Sequence, residues 1–327
     1  MCGITGALLF DGPRQGMAGK IHRMTDSIRH RGPDDEGYFL INTKTAAHRL
    51  AAGAESVPEI RNAQPLIGGL NNEYFDLVLG HRRFAILDLS VGGHQPYFDP
   101  SRKVGGVFNG LIYNYKEVKA ELEAEGIVFH TDCDTEVLFK AYGFWGEPCF
   151  AKFNGTWAVA IYDFSRRELI LSRDRLGKKP VYVYRDHTGF YFASEIKAIL
   201  KVADTTIRVN ERAVFDYLVG GYRDLSNSTF YEGIESIPAG SVLKINSKGE
   251  IGSSKFWELQ PDRNGKFKSA SPVEVAKELR HILEDAVKIR LRADVGIGIE
   301  LSGGLDSSSV AGLASSVHAN KLSCFTV

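Results

Sequence analysis

The sequence predicts an α+β unit followed by the beginning of an α/β unit, and three observations carry that prediction. Strands come early and often. The runs at 3–10, 37–41, 76–80, 104–108, 157–163, 168–172, 181–185 and 190–193 are short, rich in Val, Ile, Phe and Tyr, and broken by Gly, Asp or Asn. Only two clear helices interrupt them: Lys20 to Ser27, and Thr135 to Phe144, whose Val137, Leu138, Ala141 and Phe144 share one face. Many strands with few helices between them imply mixed or antiparallel sheets with helices outside. Beyond the polar stretch Gln260 to Ser271 the pattern changes to helix, strand, glycine-rich turn, helix and strand.

The later elements follow in order. Residues 210–219 read as a helix, and 238–257 as a hairpin turning at Ser247-Lys248-Gly249. Gln260 to Ser271 reads as a linker. Val275, Leu279, Ile282, Leu283, Ala286 and Ile289 then recur at helical spacing with charges opposite. That helix leads to a strand at 295–301, a second helix and a further strand from Leu322. Two domains are therefore expected, 1–257 and 258–327. About 70 residues are too few for a doubly wound domain of usual size, so the second is expected to be incomplete, as in a truncated or partial chain.

Composition narrows the function. Lys plus Arg and Asp plus Glu are both 40 in 327 residues. With no net field to hold a polyanion or an anionic membrane, small-molecule substrates are expected, with neither nucleic acid nor membrane as partner. Cys2, Cys133, Cys149 and Cys324 form no CxxC pair and have no His at zinc-site spacing, which fits a reducing cytoplasm. The apolar start lacks a basic leader and reads as a buried strand.

Two stretches carry chemistry. The strand ending at Leu301 runs into Ser302-Gly303-Gly304-Leu305-Asp306-Ser307-Ser308 and then a helix. Glycines admit a close ligand, free amides point outward, and the helix start adds positive potential, so the loop suits an anion. A serine-rich helix cap is the plainer reading of such a turn. The common phosphate-loop ending Gly-Lys-Ser/Thr is absent. At the other end, Cys2 follows the initiator Met. If Met is removed, Cys2 gains a free α-amine with an ordinary pKa of roughly 8, near enough to neutrality to act as base for its own thiol. Alone, an apolar Cys beginning a buried strand is the simpler account.

The motifs taken together change that balance. The start MCGITG, the string His30-Arg31-Gly32-Pro33-Asp34, the segment His81 to Asp88, the string Phe108-Asn109-Gly110-Leu111-Ile112-Tyr113-Asn114 and the triplet Asp134-Thr135-Glu136 resemble, in order, the motifs of class II glutamine amidotransferases. These are amino-terminal nucleophile hydrolases with an αββα sandwich. The resemblance implies Cys2 as nucleophile and Asn109 and Gly110 as the oxyanion hole. It implies Arg83 on the glutamine carboxylate, Asp134 on its α-ammonium, and Ile86, Leu87 and Leu111 lining the pocket. Leu111 departs from the Glu common in the family, and a plain helix cap is the alternative for Asp134. Ala47-His48-Arg49-Leu50 also looks like the start of the Arg83 motif; the later copy is preferred because His94-Gln95-Pro96 follows it at the usual spacing. Residues 46–80 then carry an insertion.

The loop at 302–308 resembles that of the ATP pyrophosphatase family. This implies ATP at Leu301, Ser302, Gly303, Gly304, Asp306, Ser307, Ser308 and Val327, with Asp306 helping to hold Mg²⁺. The combination is similar to the glutamine-hydrolysing asparagine synthetase family. The expected fold is thus an α+β amino-terminal nucleophile hydrolase followed by a truncated α/β ATP-pyrophosphatase-like domain. The expected chemistry is ammonia from glutamine passed to an ATP-activated aspartate, in a cytoplasmic enzyme that the resemblance suggests is a homodimer. Another carboxylate acceptor, a β-lactam-synthetase-like enzyme and a non-catalytic relic are the alternatives. Residues 1–327 alone are expected to hydrolyse glutamine slowly at best and to make no asparagine. An assay of AMP formation with aspartate, glutamine and ATP checks this, and robust synthesis overturns it.

Overall fold

The structure, a computed structural model, describes residues 1–203, 206–222, 226–261, 265, 270–318 and 321–326. It divides into two compact units, Met1–Glu258 and Leu259–Val327. The first opens with β1 (Gly3–Leu9), α1 (Met17–Asp26), β2 (Asp35–Ile41), β3 (His48–Ala52), α2 (Pro58–Ala63) and β4 (Leu77–Arg83). Next come β5 (Tyr97–Asp99), β6 (Val104–Ile112), α3 (Tyr115–Ala124), α4 (Asp134–Trp145) and α5 (Cys149–Lys152). The strands β7 (Gly155–Asp163), β8 (Glu168–Arg173), β9 (Tyr182–Arg185) and β10 (Gly189–Ala193) lead to α6 (Ile196–Leu200) and α7 (Glu211–Gly220). The unit closes with β11 (Ile234–Ser236) and the hairpin of β12 (Ser241–Asn246) and β13 (Ile251–Lys255).

These strands make two antiparallel sheets, β11-β9-β10-β1-β4-β2-β3 and β13-β12-β8-β7-β6-β5. Their side chains show how the layers stack. Tyr38 and Leu40 of β2 share a core with Met17, Ile21 and Met24 of α1, whereas Phe39 and Ile41 join the core between the sheets. On the second sheet Trp157, Val159 and Ile161 of β7 pack with Val137 and Leu138 of α4, and Ala158, Ala160 and Tyr162 face the first sheet. Successive side chains on a strand point to opposite faces, so each central strand needs apolar residues at every position. The result is helix, sheet, sheet, helix, which is the αββα sandwich.

Several elements of the first unit are not expected from the sequence, α3 and β3 among them. α3 carries Lys116, Glu117, Lys119, Glu121 and Glu123, and only Tyr115, Val118 and Leu122 are buried; so narrow a stripe is easily hidden by charge. β3 is the edge strand beside β2 and holds His48-Arg49-Leu50, the earlier look-alike of the Arg83 motif. Its Arg49 is exposed and paired with Glu73 at 3.3 Å. α1 begins at Met17 rather than Lys20. The hairpin turns at 247–250, where Asn246 Oδ1 accepts from the amides of Lys248 and Glu250 at 3.0 Å each.

The second unit contains α8 (Pro272–Arg290), β14 (Gly298–Glu300), α9 (Leu305–Val317) and β15 (Ser323–Phe325), with β14 and β15 parallel. Ser271 and Glu274 form a reciprocal capping box at the start of α8. The strand expected at 295–301 is only three residues long. Most of the polar stretch 260–271, and Val327, lie outside the described residues. Among the described residues no helix is long and apolar enough to cross a membrane.

Candidate active site

β1 lies in the middle of the first sheet, between β4 and β10, so Cys2 is the residue just outside a strand paired on both sides. The adjoining Ile4 amide donates to Ser194 Oγ at 3.0 Å. Arg31 Nε donates to the Cys2 carbonyl at 3.0 Å, and Arg31 Nη1 in turn donates to Glu195 at 3.1 Å, which His30 also contacts at 2.8 Å. The Phe84 amide donates to Cys2 Sγ at 3.2 Å. Asp34 Oδ2 accepts the Ala85 amide at 2.8 Å, tying the His30–Asp34 segment to the wall of the same cavity.

That cavity is lined by Cys2, Arg83, Ile86, Leu87, Asn109, Gly110, Leu111 and Asp134, so all the residues expected for glutamine come together. Gln95, Cys133, Thr135 and Lys179 also line it, and sequence reasoning gave none of them a role there. Lys179 had one visible signal, the cation pair Lys178-Lys179 between Gly177 and Pro180. Glu195, which carries no motif role, braces the arginine that holds Cys2.

The free edge of β6 organises the wall opposite Cys2. β5 pairs with β6 only as far as Tyr97 opposite Gly106, leaving the later residues of β6 without a strand on that side. In an antiparallel strand, residues two apart send their N–H groups to the same edge. The Phe108 amide donates to Gln95 Oε1 at 2.7 Å, and the Ile112 amide to Asp134 Oδ2 at 2.9 Å. Between them the Gly110 N–H points to that same edge, at the cavity. A Cβ on Gly110 would collide with the Thr156 carbonyl of β7, so only glycine lets the strands approach here. Asn109 is 1% exposed, and its Nδ2 is buried without a hydrogen-bond partner. Asn109 Nδ2, a buried donor without a partner, and the Gly110 N–H thus belong to one cavity lining, the kind of donor pair an oxyanion site requires.

Two residues differ from the simple expectation. Arg83 lines the cavity, but Nη1 donates to the Ser90 carbonyl at 3.0 Å and Nη2 to the Asp88 carbonyl. It thus braces the 84–93 loop as well as facing the cavity, and a side chain at Gly93 would collide with it. Asp134 is not a helix cap. Cys133 is the N-cap of α4, and Asp134 is the first helical residue, turned onto β6. Glu136 holds the loop leading to it by accepting from the His130 and Thr131 amides at 3.0 and 2.7 Å.

Burial sets the electrostatics. It pushes the Asp134 carboxyl up to about 6, against which the Ile112 amide and the Cys133 thiol work as donors. Burial also pushes the Cys2 thiol above its ordinary value, only partly offset by the Phe84 backbone and the nearby amine and Lys179. Such a thiol is protonated at neutral pH and needs a base at hand. The first amine of the chain, on Met1, is held below its ordinary value by burial, with Arg31 and Lys179 adding to the effect.

In the second unit, Ser302 to Gly304 joins β14 to α9. Gly303 has φ +79°, a backbone conformation that favours glycine. Ser302 Oγ and Ser307 Oγ meet across the loop at 3.1 Å, and the Gly304 amide faces Ser302 Oγ at 3.4 Å. The Leu301 amide donates to the Phe325 carbonyl at 2.8 Å, fixing the strand beneath. A 13-residue helix whose cap, Gly304, offers no side chain to its free amides suits a phosphate. Asp306 is exposed in its first turn. Among the described residues no three His, Cys, Asp or Glu side chains cluster as a metal site; a Mg²⁺ held by Asp306 would take its other ligands from phosphate oxygens and water.

An αββα sandwich with a cysteine at the head of a central strand has the amino-terminal nucleophile hydrolase fold. The glutamine phosphoribosylpyrophosphate amidotransferase of B. subtilis shares the fold, with TM-score 0.58 and 16% identity over 99% of this chain and 65% of that one. Residues 1–68 and 68–257 match the glutamine amidotransferase domain family, and the chain belongs to it; residues 278–327 match the beginning of an asparagine synthase domain. A putative asparagine synthetase [glutamine-hydrolyzing] 2 of Methanocaldococcus jannaschii is 36% identical over 96% of this chain and 56% of its own length. Asparagine synthetase [glutamine-hydrolyzing] 3 of Bacillus subtilis is 30% identical over 96% of this chain and 45% of its own. The chain thus spans about half the length of the curated relatives it matches.

The raised Asp134 carboxyl makes a signed prediction. Its folded value lies above the unfolded one, so its contribution to stability is fully present below pH 3.8 and is lost as pH rises through about 6. Asp134→Asn keeps an acceptor for the Ile112 amide and removes that loss. Urea unfolding should show the variant more stable than wild type at pH 8 by up to roughly 3 kcal/mol, with a much smaller difference at pH 4. A pH-independent difference would sink the idea.

Proposed function

We propose that the chain is the amino-terminal part of a cytoplasmic, glutamine-dependent asparagine synthetase. The first unit releases ammonia from glutamine at Cys2. The second contributes the phosphate loop of a site where ATP activates aspartate, AMP and pyrophosphate leave, and ammonia forms the new amide. The observation that carries the glutaminase half is the buried, unpartnered Nδ2 of Asn109 in the same cavity as Cys2 Sγ. A buried amide donor without a partner is costly, and a substrate that develops a negative oxygen there removes the cost in the transition state.

The steps follow from the groups present. Removal of Met1 gives Cys2 its own α-amine, which takes the thiol proton. The sulfur attacks the side-chain amide carbon of glutamine, and the oxygen charge is held by Asn109 Nδ2 and the Gly110 N–H. The intermediate collapses as the amine returns its proton to the departing nitrogen, which leaves as ammonia. A thioester remains on Cys2. Water, losing a proton to the amine, attacks it and frees glutamate and the thiol. Asp134 pairs with the α-ammonium and Arg83 with the carboxylate of the substrate. ATP is a substrate held by Ser302 to Ser308 with Leu301, and Mg²⁺ at Asp306 would screen its phosphates. Small-molecule substrates are the partners, and a homodimer is the proposed assembly.

Glutamate and ammonia release test the first half. Cys2→Ala should abolish it, and Asn109→Ala should lower kcat by roughly 100- to 1,000-fold. Equal ammonia release from wild type and Cys2→Ala would refute the proposal, as would an intact mass showing Met1 retained on an active protein.

A further inference from the structure

The segment His94-Gln95-Pro96 has no part in the chemistry above, yet Gln95 is 5% exposed and makes three hydrogen bonds at the wall of the cavity. Its Oε1 accepts the Phe108 amide at 2.7 Å, and its Nε2 donates to the Phe108 carbonyl at 3.1 Å. The same Nε2 donates to Thr135 Oγ1 at 3.3 Å, next to Asp134. A primary amide has one acceptor and two N–H donors, so the carboxamide serves both the N–H and the C=O of Phe108 as a neighbouring strand would. It does so just where β5 stops pairing with β6.

We propose that Gln95 is a positioning residue for the oxyanion hole, a side chain that replaces the missing rung of strand β5 and thereby aims Asn109 and Gly110. The proposal rests on the glutaminase reading given above. Asn109 Nδ2 has no partner of its own, so its direction is set through the backbone on either side. The carbonyl before it is held twice, by Gln95 and by His81 Nε2 at 3.1 Å. A carbonyl only accepts, so His81 donates from Nε2, consistent with a neutral ring whose pKa burial pushes down to about 3. The two bonds together fix the plane of the Phe108–Asn109 peptide. Gly110 N–H lies one rung further along the same edge, so a shift at Phe108 carries to both donors. Through Thr135 the same carboxamide ties the hole to the start of α4, and hence to the carboxylate that meets the α-ammonium. Together with the bond from the Ile112 amide to Asp134, this side chain helps set the distance between the scissile amide and the ammonium of one substrate.

The test is Gln95→Met, unbranched, of similar volume and uncharged, which removes all three bonds without adding repulsion. Glutaminase kcat should fall about 10- to 100-fold, the effect of a small misplacement, with KM for glutamine within about twofold. Alkylation of Cys2 by iodoacetamide, which needs the thiolate but forms no tetrahedral oxyanion, should keep its wild-type rate. Thr135→Val, which cuts the bond from Gln95 and leaves both Phe108 bonds, should lower kcat by a smaller factor and serves if the Met variant does not fold. Unchanged kcat in both variants overturns the proposal, as does a loss of alkylation parallel to the loss of kcat. If wild type releases no more ammonia than Cys2→Ala, the glutaminase reading has failed instead.

Discussion

A sheet edge left bare by one short strand governs this site. Backbone N–H groups at a free edge must find partners, because an unpaired buried amide costs free energy comparable to a lost hydrogen bond. Along β6, the edge amides of Phe108 and Ile112 are taken by the side chains of Gln95 and Asp134. The amide between them, on Gly110, faces the cavity. The cavity is thus an interruption in an otherwise complete hydrogen-bond ladder, and its donors inherit the stiffness of the sheet. Preorganised donors of this kind need no rearrangement at the moment of reaction.

The electrostatic cost of the site falls on the acidic partner. Asp134 sits at the start of α4, where the helix end favours a negative charge. Burial nevertheless raises its pKa to about 6. Asp35, by contrast, is held below the usual carboxylate range: the His94 ring and the Val57 amide overcome the effect of its burial. Glu136, three-way bonded to Lys140, Thr131 and His130, is held low in the same manner. The difference marks which carboxylates are satisfied by the protein and which still lack a partner that a cationic ligand group can supply.

The sandwich was legible because both faces of its central strands are buried. Runs such as Trp157 to Tyr162 are apolar at every position and stand out from any flanking sequence. The charged helix α3 was hidden because three buried residues suffice to seat it. The cavity residues were legible through ordered motifs, and Cys2, Asn109, Gly110 and Asp134, spread over 133 residues of sequence, line one space. Long-range supports were not legible. Glu195 lies 164 residues from Arg31, and no local pattern announces that it braces the arginine holding the Cys2 carbonyl. Nor does a lone Gln before a Pro reveal that it caps a strand. Arg83 shows the converse: its motif points to a substrate clamp, while its guanidinium also ties down two loop carbonyls.

The central position of β1 has a consequence for the growing polypeptide. Its pairing partners are β4, ending at Arg83, and β10, where Ala193 lies opposite Thr5. The strand that follows Cys2 is therefore closed on its two sides by segments far along the sequence, the second of them past the middle of the 327 residues. Until β10 has joined the sheet, one edge of β1 stays unpaired, and Cys2 sits at the head of a strand held on one side alone.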